Sequence, residues 1–145
     1  MSRALANMGD LPIQQCEFDW RIKPPETVKV GHTLTIVVRI PGRVQMHVLE
    51  AFLLDQSGEV DERIDGEGMH TGPGFNGDET EGTYVWFFIR IEKRGNTTIK
   101  IRSTWRKGRE MFGAVDSFEV TAGDYYPAHF YSPEELNLLS LLLDW

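Results

Sequence analysis

Apolar residues recur at every second position through most of this chain. Cys16, Phe18, Trp20 and Ile22 alternate with Glu17, Asp19 and Arg21, the period of a half-buried strand, and Pro24-Pro25 stops the run. Leu34, Ile36, Val38 and Ile40 alternate with Thr33, Thr35, Val37 and Arg39, and Pro41-Gly42 supplies the next turn. The range 44–54 is apolar enough for a third strand, with a phase break around Glu50 that predicts a bulge. Val85, Phe87, Ile89 and Ile91 form one face of a fourth strand, while Tyr84, Trp86 and Phe88 make its other face apolar as well. Ile99, Ile101, Ser103 and Trp105 then alternate with Thr98, Lys100, Arg102 and Thr104, giving a strand with a basic outer face. Phe118 and Val120 mark a last strand ending at Gly123, and short extra strands fit at 28–30 and 60–64. Strands separated by turn signals, with no helical period between them, predict an all-β, antiparallel immunoglobulin-like sandwich, with a closed barrel as the alternative.

The pattern changes at the end of the chain. In Ser132-Pro133-Glu134-Glu135, Ser132 is placed to accept from the Glu135 amide, Pro133 suits the first helical position and Glu135 can reach back, which predicts a helix with a capping box. Leu136, Leu139 and Leu143 form one stripe, and Leu138, Leu142 and Trp145 a second beside it, so the apolar arc is wide. At about 1.5 Å per residue the helix spans about 21 Å, too short to cross a membrane. It therefore needs a protein surface, either its own sheet or a partner. The expected organisation is a flexible segment over 1–13, a sandwich over 14–123 with an acidic glycine-rich loop at 55–82, and a linker and appended C-terminal helix over 124–145.

At 145 residues the length suits one domain with its own core. The single Cys16 excludes an internal disulfide framework, and the start of the chain lacks the apolar run of a secretory signal, so the expected location is intracellular, in the cytoplasm. The net charge of −7 is unevenly spread. From 55 to 82, nine acidic residues face one basic residue, Arg63, whereas 90–109 holds eight basic residues against Glu92 alone. An acidic segment beside a basic strand region argues for charge-steered protein contacts and against general nucleic-acid affinity.

Candidate chemistry is sparse. The acidic segment suits a solvated loop. Asp61, Asp65 and Gly66 fall at helix-loop-helix calcium spacing, but Arg63 and Gly72 occupy ligand positions, so neither these nor Asp78 predict a metal site. His32, His47, His70 and His129 are scattered and give no zinc spacing. Cys16, within an alternating strand, reads as a buried structural thiol rather than a nucleophile. No cofactor is implied. The row Tyr84, Trp86 and Phe88 is the strongest surface signal, since same-face aromatics on one strand form a ridge that needs a cover. That cover is the C-terminal helix, another subunit, or a flat ligand such as a sugar ring.

The order Gly72-Pro73-Gly74, an aromatic-rich strand, Gly95-Asn96-Thr97-Thr98-Ile99-Lys100-Ile101, then Thr104-Trp105-Arg106-Lys107 and Ser117-Phe118-Glu119-Val120-Thr121 resembles chagasin-type inhibitors of papain-like cysteine proteases, which are immunoglobulin-like domains. The resemblance covers about residues 72–121. It implies inhibitory loops at Gly72 and Gly74 and at Trp105 and Arg106. The turn Ile40-Pro41-Gly42-Arg43 lacks that family's threonines, and no Arg-Pro precedes Trp105. The expected function is a non-catalytic protein-interaction module, binding a protein partner or a second copy through Tyr84, Trp86, Phe88, Leu136, Leu139, Leu142, Leu143 and Trp145. Carbohydrate binding and protease inhibition are the alternatives, and an enzyme ranks below both.

Overall fold

The computed structural model describes residues 12–72, 80–124 and 131–143. Among the described residues ten strands form two sheets: β1 Ile13–Gln15, β2 Asp19–Ile22, β3 Thr27–Lys29, β4 Thr33–Pro41, β5 Gln45–Leu54, β6 Val60–Asp65, β7 Gly68–Gly72, β8 Gly82–Arg90, β9 Gly95–Lys107 and β10 Glu110–Gly123. A helix, α1, follows at Pro133–Leu143. The smaller sheet runs β2-β4-β8-β7; the larger runs β1-β10-β9-β5-β6, with β3 also on β10. Reading β2, β4, β8 and β7 as strands A, B, E and D, and β6, β5, β9 and β10 as C′, C, F and G, reproduces the immunoglobulin order. The antiparallel rule is broken at one edge, where β1 and β3 both lie parallel to β10.

The core between the sheets comes from the predicted inward rows. Leu34, Ile36, Phe87, Ile89, Ile99, Ile101, Leu53 and Val120 form one cluster, and Val38, Ile40, Val85, Trp105 and Ala114 continue it toward one end. Phe18 and Trp20 close the gap between the sheets beside β10, with Trp20 edge-on to Phe118 at 5.0 Å and its indole donating to Asp116 at 2.9 Å.

Four expectations are corrected. Within the segment 55–82 the short strand expected at 60–64 forms as β6, paired with β5, and a strand that was not expected, β7, pairs with β8. Asp55 sets the turn into β6: its Oδ1 accepts the Ser57 amide at 2.9 Å, the Ser57 hydroxyl at 2.6 Å and the Glu59 amide at 3.0 Å. The last strand begins at Glu110, joined to β9 by a tight hairpin in which Gly108, at φ 64°, takes the left-handed turn. Gly113, Ala114, Asp116 and Ser117 around the outward Val115 left its first half without a hydrophobic alternation. Cys16 is exposed rather than buried, lying between β1 and β2 with its amide on the Gly113 carbonyl at 2.8 Å. Finally, the register shift in β5 lies between Met46 and Val48, so no bulge sits at Glu50. The expected N-terminal segment falls almost wholly outside the described residues.

Candidate functional site

The capping box forms as its sequence predicts: the Ser132 amide donates to Glu135 Oε1 at 2.9 Å and the Glu135 amide to Ser132 Oγ at 3.1 Å. The helix it starts packs on the outside of the smaller sheet. Leu138 and Leu139 form a cluster with Ile22, Val37 and Tyr84, flanked by Trp86, Tyr131, Leu142 and Leu143. This cover explains why β4 is buried on both faces from Leu34 to Ile40. Beyond the Ile22–Val37 pair no β2 partner remains for β4, and there the Thr35 amide donates to the Tyr131 hydroxyl at 2.9 Å.

The predicted contact residues are thereby divided. Tyr84, 1% exposed, and Leu139, 0% exposed, belong to the interior and offer a partner nothing while α1 is docked. Trp86, Leu142 and Leu143 are half-buried around them, while Leu136 at 45% and Phe88 at 37% remain at the surface. Trp145 lies outside the described residues. The helix covers the Tyr84 end of the aromatic row. Trp86 is further confined by Gly68: a Cβ there would lie 2.2 Å from its indole ring.

The proposed inhibitory loops are also divided. Trp105 is 5% exposed and stacks on Phe112 in the core, so it is not a loop tip. Arg106 donates to the Gly108 carbonyl at 2.8 Å, Gly72 is buried at the end of β7, and Gly74 lies outside the described residues. The β4–β5 turn does meet the approach to β8, with the Gly42 amide on the Glu81 carbonyl at 2.9 Å, as immunoglobulin order brings these loops to one end.

The other surface of the sandwich is uncovered among the described residues. On the outer face of the larger sheet, Glu50 is only 4% exposed, yet it faces away from the core. Arg63 Nε donates to its Oε2 at 2.7 Å, and Arg102 from the neighbouring β9 bonds the other oxygen. Burial raises the Glu50 pKa, but the hydrogen bonds and charges of Arg63 and Arg102 together outweigh it and hold the carboxyl below its ordinary value of 4.5. The Arg102 guanidinium lies 6.0 Å from the Phe52 ring centre. Beside it stand Val115, 52% exposed and paired with Arg102, and Ile13, 48% exposed over Gly113. The apparent phase break at Glu50 was the sequence's signal of this cluster.

Among the described residues no three His, Cys, Asp or Glu side chains converge as metal ligands, and Asp78 and His129 lie outside them. Two open surface depressions measure about 560 Å³ and 360 Å³. No helix among the described residues is long and apolar enough to cross a membrane.

No protein-family model matches the sequence, and no curated protein matches it. Among solved structures the chain is similar to the human F-spondin reeler domain (fragment 1), at 14% identity and a TM-score of 0.39, covering 85% of this chain and 100% of that one. The strand order itself establishes the fold: the chain is a β-sandwich of immunoglobulin connectivity with a helix on one face.

Proposed function

We propose that this protein is a non-catalytic interaction module that docks a protein partner through the outer face of its larger sheet. The observation that carries the reading is the asymmetry of the sandwich. α1 packs on the smaller sheet, while the larger sheet presents the exposed Val115 and Ile13 and the half-buried Phe52, with no cover among the described residues. Exposed apolar side chains grouped on one face favour a protein contact. On that face Arg63, Lys100, Arg102 and Arg106 stand against Glu50, Asp65 and Glu119, four cations to three carboxylates, so an acidic partner surface around an apolar centre is the complementary one. The Glu50 carboxylate holds both arginines, which lowers the ordering cost of binding.

The experiment places a photoreactive amino acid at Val115 or at Leu136 in the full chain, in cells. A discrete adduct from Val115, competed by excess unlabelled protein but not by its Val115→Asp variant, is the expected result. Adducts from Leu136 alone would move the interface to the helix and overturn the proposal.

A further inference from the structure

The outer edge of β10 is interrupted. β1 pairs with its beginning as far as Gly113 and β3 with its end from Thr121, and among the described residues no strand occupies that edge between them. The Gly113 carbonyl accepts from Cys16 at 2.8 Å and the Thr121 amide donates to Glu26 at 2.9 Å, so odd-numbered residues of β10 turn their peptide groups toward this edge. By the two-residue alternation of a strand, Val115, Ser117 and Glu119 do the same. The Ser117 amide is taken by Asp116 Oδ1 at 2.9 Å. The gap over 114–120 is about 23 Å long at about 3.3 Å per residue. It exists because the chain between β1 and β3 leaves to form β2 in the other sheet and returns through Pro24-Pro25.

An open groove of about 560 Å³ lies at the β3 end of this gap, walled by Pro24, Pro25, Glu26 and Thr27 on one side and by Phe118 and Glu119 on the other. Glu26 and Glu119 are exposed, form no ion pair among the described residues, and no basic side chain lines the groove. We propose that the gap is a strand-addition site for an extended, lysine- or arginine-rich peptide segment. The guest's backbone pairs with the free peptide groups of Val115 and Glu119, and its cationic side chains meet Glu26 and Glu119. An extended backbone is the occupant whose donors and acceptors repeat at the spacing of the edge, and the two unpaired carboxylates select its charge. Val115 belongs to both surfaces, here by its peptide group and in the docking face by its side chain, and the N-methyl comparison below reads backbone pairing alone, so each reading fails separately.

The test titrates isotope-labelled full-length protein with a heptapeptide of alternating lysine and valine, followed by amide chemical shifts and by fluorescence anisotropy. Expected are saturable binding below millimolar concentration and shifts centred on Val115, Ser117, Glu119 and Thr27. N-methylation of alternate peptide amides should weaken binding about tenfold or more, the equivalent of one or two lost hydrogen bonds. The double variant Glu26→Lys/Glu119→Lys should lose affinity for this peptide and gain it for a glutamate-valine counterpart. Equal binding of the N-methylated peptide would reduce the effect to charge attraction and overturn the proposal, as would shifts located elsewhere or no saturation. Should the double variant fail to fold, the N-methyl comparison on the unaltered chain decides alone.

Discussion

Leu139 and Leu136 sit three residues apart on α1 and differ in burial, which makes them a matched pair for testing whether the helix is docked in solution. Leu139 is 0% exposed among Ile22, Val37 and Tyr84, whereas Leu136 is 45% exposed. Leu139→Ala removes the transfer free energy of the side chain and leaves a cavity, together about 2–5 kcal/mol. The better helix propensity of alanine returns only a few tenths of a kcal/mol. At Leu136 the lost burial is partial, and the expected change is within about 1 kcal/mol. At about 2–4 °C per kcal/mol for a chain of this size, a 3 kcal/mol loss lowers the melting temperature by roughly 6–12 °C. Calorimetry of the two variants beside the unaltered protein reads this directly, and urea melts check that the slope m is unchanged. Removing 132–145 should go further, uncovering Tyr84 and Trp86 and raising hydrophobic-dye binding. Equal melting temperatures for Leu139→Ala and Leu136→Ala, with unchanged dye binding after truncation, would refute the docked helix.

Tyr131→Phe should cost about 1–3 kcal/mol, because it strips the acceptor from the Thr35 amide on a part-buried stretch of β4; urea denaturation measures it. Gly68→Ala should destabilise by about 1–3 kcal/mol and change the near-ultraviolet dichroism, since the new Cβ would lie 2.2 Å from the Trp86 ring and must displace it. Glu50 has a folded pKa below its unfolded value of 4.5, so its contribution is complete above that pH and is lost as pH falls through the folded value. Glu50→Gln should therefore be less stable at pH 7, with the deficit shrinking below pH 4.5, and denaturant melts across that range test the sign.

Local pattern determined a large share of this protein. Period-two alternation placed β4, β8 and β9 and assigned their inward rows, because side chains of a strand must alternate between faces. The capping box located the start of α1, since its partners are three residues apart and need no tertiary contact. The sequence also showed that Tyr84, Trp86 and the leucines required covering surfaces. Only the fold could show that they cover one another: the contact between β8 and α1 joins residues about 50 positions apart, and nothing in either segment names its partner. The same holds for Glu50. A carboxylate in an apolar run looks like a fault in phase until β6 and β9 bring Arg63 and Arg102 onto it from either side. The gap on β10 is likewise invisible along the chain, because an edge is defined by which strands are missing beside it, and pairing in space decides that.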